Sequence, residues 1–268
     1  MQLSISNIAW EFTDDSYVYE LMKKNDYTGL EIAPTRIFPE NPYDKLSEAA
    51  DWSSKLKDDY GFVVPSMQSI WFGRKENIFG SDEERRALLG YTRKAIDFAV
   101  AIGCRNLVFG CPRNRNMPDG ADPEIAIAFF RDLGDYAASK GTCIGMEANP
   151  PIYNTNYMND TISVLELIKE VDSTGFRLNL DVGTMIQNGE SPNELAGNIE
   201  LVNHVHISEP GLKTIEQRQL HQELMRLLKE EEYAGYISIE MGKVSELPII
   251  EEKMQYIKSI FGSEQHKF

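Results

Sequence analysis

Apolar positions along this chain follow two spacings that take turns from one end to the other. Short runs, some alternating strictly with polar residues, occur at 3–8, 29–33, 62–65, 106–110, 142–148, 176–182, 202–210 and 235–241, as β-strands require. Between them, apolar residues recur at three- and four-residue intervals near 16–25, 43–60, 81–102, 123–140, 160–172, 193–198, 214–231 and 247–260, the signature of amphipathic helices. Local signals fix several ends. Ser81 and Glu84 form a capping-box pair, Gly103 and Gly141 follow helices as terminating glycines do, and Pro34 breaks the second strand.

Strict strand–helix alternation implies a parallel sheet with its helices outside, and eight such units favour closure into a (β/α)8 barrel. An open doubly wound sheet is the alternative. It is disfavoured because no glycine-rich phosphate loop follows the first strand. The connections are short and contain no linker, so residues 1–268 are expected to form one barrel domain.

Composition narrows the partners. The 268 residues hold 27 Lys plus Arg against 42 Asp plus Glu, a net charge of −15, which repels nucleic acid and anionic membrane surfaces over most of the exterior. Cys104, Cys111 and Cys143 form neither a CxxC pair nor an even framework, consistent with reduced thiols. No basic-then-apolar leader opens the chain and no apolar run reaches membrane-spanning length, so a cytoplasmic location is expected. A homo-oligomer is left open.

In a closed barrel the positions facing the helices are apolar, and inward positions at the carboxyl ends carry chemistry. With Ile144 and Met146 facing out, Gly145 and Glu147 point inward. By the same reasoning Asn179 and Asp181, His204 and His206, and Ser238 and Glu240 point inward. Each series ends in a metal-ligand side chain: Glu147, Asp181, His206 and Glu240. No lysine or arginine on these strand ends offsets three converging carboxylates, and a divalent cation would. The oxygen-rich set favours Mn²⁺ or Mg²⁺, with Zn²⁺ or Co²⁺ also compatible. The competing role for each acid is a helix cap or surface carboxylate. His204, one layer below His206, is expected to be hydrogen-bonded core, as is Glu31 on the second strand.

These segments, Gly145-Met146-Glu147, Asn179-Leu180-Asp181, His204-Val205-His206-Ile207-Ser208-Glu209 and Ser238-Ile239-Glu240, resemble the metal-site strands of the xylose isomerase-like TIM-barrel superfamily, specifically its sugar-phosphate isomerase/epimerase branch. Their separations of 34, 25 and 34 residues are also similar. The resemblance implies that Glu147, Asp181, His206 and Glu240 hold one divalent metal, and that Glu147 and Glu240 act as an acid–base pair on a bound sugar. Proton return to the opposite face of one carbon epimerises; return to the next carbon isomerises. Two positions depart from the family pattern. Thr184 stands where the family commonly has histidine, and Leu212 stands where ketose 3-epimerases place an arginine, with Lys213 the nearest cation. Both departures count against epimerisation of free ketohexoses.

Other candidates to touch a sugar or sugar derivative are Arg113 and Arg115 after the fourth strand, Asn149 beside Glu147, Thr184, Glu209, Lys213 and the aromatic Trp71. For Trp71, as for Trp10 and Phe72, core packing is the competing role. Three rival functions remain. A metal-dependent phosphodiesterase of the endonuclease IV kind needs histidines early in the chain, and none precedes His204. A barrel that binds without turnover would suit Thr184, and a lyase-type barrel would share every feature above.

Overall fold

The computed structural model describes residues 1–262; the last six residues of the expected domain, which include His266, lie outside the described range. Seven parallel strands form one sheet: β1 (Gln2–Ser6), β2 (Gly29–Glu31), β3 (Leu107–Phe109), β4 (Ile144–Glu147), β5 (Phe176–Asp181), β6 (Val202–Ile207) and β7 (Tyr236–Ile239). Their spatial order is β2-β1-β7-β6-β5-β4-β3. The strand predicted at 62–65 does not form a ladder of its own. The segment crosses the gap between β2 and β3 through isolated parallel bridges, Gly29 to Val63, Ile32 to Met67 and Met67 to Leu107. Pro65 lies at its centre and has no amide hydrogen to give a neighbour, which limits the pairing. The segment still occupies the eighth position, and the fold is a TIM barrel.

Nine helices are present among the described residues: α1 (Asp15–Lys24), α2 (Pro34–Ile37), α3 (Leu46–Tyr60), α4 (Asp82–Ala101), α5 (Glu124–Ser139), α6 (Thr161–Val171), α7 (Val182–Asn188), α8 (Gln219–Glu230) and α9 (Pro248–Phe261). None is long and apolar enough to cross a membrane. The capping box at α4 forms as its spacing predicts: Ser81 Oγ accepts from the Glu84 amide, and Glu84 accepts from the Ser81 amide.

The helix predicted at 193–198 is displaced. Only a 3-10 turn forms there, at Pro192–Leu195, while α7 starts directly after β5. Asp181 causes the early start, because its carboxylate accepts from the Gly183 and Thr184 amides and so caps α7. Gly189, at φ +71°, ends the helix in a left-handed turn.

The alternation read from the sequence places the core. Ile144, Met146, Leu178, Leu180, Val205, Ile207, Ile237 and Ile239 are buried in the core, and the helices contribute apolar faces such as Phe129, Phe130 and Leu133 of α5. The inner side of the sheet carries buried polar groups instead: Ser4, Ser6, Glu31, Asn179, His204, His206 and Ser238. Buried polar groups are costly unless paired, and their pairing defines the site.

Candidate metal and active site

His206 is the centre of the polar interior. Register places it beside Asp181 of β5 and Ser238 of β7, and it is fully buried. Its two ring nitrogens face different partners. Nε2 lies 2.8 Å from Glu31 Oε2, whereas Nδ1 lies 3.2 Å from Glu147 Oε2 and 3.2 Å from Glu240 Oε2. Glu147 ends β4, two strands from β6 on one side, and Glu240 follows β7 on the other, so their carboxylates approach one imidazole edge from two directions. Donor atoms of Glu147, His206 and Glu240 all lie within 4.8 Å of one another.

Asp181 lines the same cavity but is not one of that group. Its oxygens accept from the Gly183 amide, the Thr184 amide and hydroxyl, and the Ser208 hydroxyl. The helix-cap role weighed for each acid is therefore present at Asp181, alongside its position on the cavity wall.

Electrostatics follow from this crowding. Burial alone would raise the Glu31 carboxyl, but the His206 and His204 imidazoles outweigh it and hold the group well below the usual carboxylate range. Burial disfavours charge on His206, yet Glu240, Glu31 and Glu147 hold the ring well above the ordinary histidine range. Burial, reinforced by the Glu147 charge, pushes Asp181 up to about 6. Burial likewise pushes Glu240 up to about 7, with His206 opposing and its neighbouring acids adding to the rise. His204 is buried beside Glu31, and burial lowers it.

Side-chain amides hold Glu147. Asn149 Nδ2 donates to Oε1 at 3.0 Å and Asn179 Nδ2 donates to Oε2 at 2.9 Å. Space for the carboxylate comes from Gly110, just beyond β3, where a Cβ would collide with Glu147 Oε1. Above these groups opens a cavity of about 220 Å³ lined by Glu147, Asp181, Glu209 and Glu240, with Asn149 and Tyr153 on its wall.

The remaining predicted residues separate into those that face this cavity and those that do not. Asn149 and Glu209 line it. Arg115 does not contact it: the guanidinium is fully buried and donates to Glu147 O and Asn149 Oδ1, both at 2.8 Å. A 3-10 turn, Pro112–Asn114, turns Arg115 back under the loop while Arg113 stays exposed. Burial lowers Arg115 to about 10.

Trp71 is core, edge-on to Phe109 and Phe129, with its indole N–H donated to Thr92 Oγ1 at 2.8 Å. Thr184 sits behind Asp181, its hydroxyl shared between Asp181 Oδ2 and Ala148 O, so the position is filled by a capping contact rather than by a group facing the cavity. Lys213 is exposed and off the cavity wall.

Three participants had no sequence signal read for them. Arg218 grips Glu209 through Nε at 2.6 Å and Nη2 at 2.5 Å. Tyr153 Oη accepts from the Gly211 amide at 2.8 Å, tying the loop after β4 to the loop after β6 across the mouth. Gln68 donates to Glu31 and to Ser6. A glycine just past a strand, such as Gly110, was a signal available for reading.

A family model described as xylose isomerase-like TIM barrel matches residues 19–260. Among solved structures, D-psicose 3-epimerase crystallised in the presence of D-fructose superposes with a TM-score of 0.78 at 14% identity, covering 98% of this chain and 100% of that one. The 3-keto-D-glucoside 4-epimerase of E. coli, in apo form, gives 0.74 at 18% identity, covering 97% and 99%. A family 2 AP endonuclease from Brucella melitensis gives 0.71 at 18% identity with the same coverage. No curated protein matches in sequence. At such identities the superpositions establish a shared fold across enzymes of different chemistry.

Proposed function

The chain belongs to the xylose isomerase-like TIM-barrel family, and from that premise we propose that it is a metal-dependent isomerase or epimerase of sugars that works by proton transfer through an enediolate. The observation that carries this reading is the approach of Glu147 and Glu240 to the Nδ1 edge of His206, each at 3.2 Å, in a cavity that Asp181 also lines. The sugar epimerases among the fold neighbours support it.

The residues fit a divalent cation on chemical grounds. Three carboxylates and one imidazole form an oxygen-rich donor set that suits Mn²⁺ or Mg²⁺, with Zn²⁺ or Co²⁺ also compatible. The carboxylate Glu31 behind His206 Nε2 is the partner that ligating histidines commonly have, and Nδ1 would bind the cation once it gives up its proton. Glu147, Asp181, His206 and Glu240 would hold the ion. When bound, it would polarise a sugar carbonyl and its neighbouring hydroxyl, acidifying the C–H between them.

The protein's own groups perform the rest. Glu147, fixed by Asn149 and Asn179, and Glu240, the residue after β7, are the two bases that remove and return the proton. Their separate directions of approach allow return to the opposite face or to the adjacent carbon. Tyr153 and Glu209, on the cavity wall, would contact the sugar's remaining hydroxyls, and the Tyr153–Gly211 bond narrows the entrance to water.

Two measurements test this. Metal analysis of the purified protein is expected to find one divalent ion per chain. Solvent deuterium should then enter a ketose or aldose, and Glu147→Gln or Glu240→Gln should slow that exchange by about 10²- to 10⁴-fold, the usual worth of a positioned acid or base. A folded protein that takes up no metal would overturn the proposal.

A further inference from the structure

The cavity opens at one side into a groove of about 400 Å³ between residues 69–75 and 110–114. The two share Ser69, Gly110 and Pro112, so the groove continues the cavity toward solvent. Their charges are opposite. The cavity wall carries four acids, Glu147, Asp181, Glu209 and Glu240, and no lysine or arginine. The groove wall carries Arg74, Lys75 and Arg113 and no acid.

In a chain with net charge −15, three cations lining one groove contiguous with the acidic cavity set up a local field opposite to that of the surrounding surface. Arg74 is committed, paired with Glu76 and placed 4.8 Å above the Tyr91 ring. Lys75 and Arg113 make no ion pair among the described residues, and both are exposed. The groove is also built rather than incidental. Asn114 Nδ2 donates to Glu76 O at 2.7 Å and to Arg74 O at 3.3 Å, and the Ile78 amide donates to Asn114 O at 2.9 Å, so its two walls are joined to each other. Phe72, 69% exposed, stands on this wall as an apolar surface.

We propose that the groove is a subsite for an anionic group at the non-reacting end of the substrate, so that the site's sugar carries a phosphate or a carboxylate. This rests on the sugar-isomerase reading above and names its substrate class. The cavity, about 220 Å³, runs into the groove past Ser69, Gly110 and Pro112, so a sugar whose carbonyl end lies among the acids can extend its far end to the groove. An anion would be repelled by the cavity's acids and drawn to Arg113 and Lys75, which fixes the substrate's direction: carbonyl inward and charge outward. Arg113 can grip either oxyanion with two parallel N–H donors, whereas Lys75 acts as a point charge.

The test uses the metal-loaded protein and three matched ketohexoses: D-fructose, its terminal phosphate ester and D-fructuronate, which differ only in a terminal hydroxymethyl, phosphate or carboxylate group. Calorimetry gives affinity and deuterium exchange gives turnover. The wild type is expected to bind one or both anionic sugars more tightly than fructose, with a preference that weakens as salt rises. In the Lys75→Ala, Arg113→Ala double variant, that anionic-to-neutral ratio should fall by about 10- to 100-fold, the usual worth of charged hydrogen bonds, and Arg113→Lys should retain part of it. The phosphate and carboxylate arms identify which anion the groove takes. Equal affinity for all three sugars, binding of none of them, or a ratio unchanged in the double variant would overturn the subsite. Anion-selective binding without exchange in any sugar would support the subsite while removing the isomerase reading, so the two can fail separately.

Discussion

The two arcs of this barrel share one architecture and divide the chemistry unequally. Strands β4 to β7 and their following loops place Glu147, Asp181, Glu209 and Glu240 on the cavity wall, together with Asn149 and Tyr153. The arc formed by β1, β2, the 62–67 segment and β3 contributes Gln68, Ser69, Val108, Gly110 and Pro112, none of them ionisable. Its single inward acid, Glu31, is buried one layer down and points at His206 from behind. One arc supplies reactive groups, and the other supplies room and orientation for them. If this division is real, substitutions in the unreactive arc beside the cavity should impair the site without removing any group that takes part in proton transfer.

Gly110→Ala is the largest such effect. The added methyl would occupy the position of Glu147 Oε1, and the carboxylate is the mobile partner, since the backbone at Gly110 follows directly on β3. A displacement of about 1 Å at a reacting group costs on the order of 100-fold in rate. Gly110→Ala should therefore lower deuterium exchange by about 100-fold while the thermal unfolding curve stays near that of the wild type. Near-normal exchange would mean that the two arcs are less tightly coupled at Glu147 than the close approach implies.

Glu31→Gln comes next. An amide oxygen can still accept from His206 Nε2, so the ring keeps a partner, but the negative charge that strengthens the imidazole as a donor to a cation is lost. Removing such a supporting carboxylate typically weakens metal binding by 10- to 100-fold. Metal titration of the apoprotein should show that loss, and an unchanged dissociation constant would mean that the rear arc plays no part in metal binding.

The division between arcs also explains what could be read from residue order. Alternation in β4 to β7 was legible because each strand is a continuous apolar–polar sequence between two environments. Ile144 and Met146, Leu178 and Leu180, and Ile237 and Ile239 are core, and the residues between them face the polar interior, ending in Glu147, Asp181 and Glu240 at the cavity. Loop side chains have no such period. Arg113 and Arg115 are two residues apart and looked equivalent, yet one tight turn leaves the first exposed and buries the second against Glu147 and Asn149. Trp71 could have faced a sugar from its place after a strand, but its indole N–H is paired with Thr92, twenty-one residues away. The missed α7 has a local cause. Asp181 is at once a carboxylate on the cavity wall and the N-cap of α7, so one residue carries two signals and the ligand-like one hides the cap.

The third test returns to the reactive arc and separates its own supports from its reactive groups. Glu209 lines the cavity at only 3% exposure, and Arg218, nine residues on, holds both of its oxygens while the Glu216 amide holds Oε1 as well. Arg218→Met keeps the side chain's apolar length and removes the charge, leaving Glu209 with a single backbone donor. Because Arg218 is itself 30% exposed on its side chain, water replaces part of the lost bonding. The cost should be about 1–3 kcal/mol, read as a shift in the denaturant midpoint with an unchanged slope. Exchange should fall by less than in Gly110→Ala, since Glu147 and Glu240 are not displaced. A drop in exchange as large as that of Gly110→Ala, with stability unaltered, would move Glu209 from the supporting wall into the proton-transfer machinery and make the reactive arc larger than the Glu147–His206–Glu240 group.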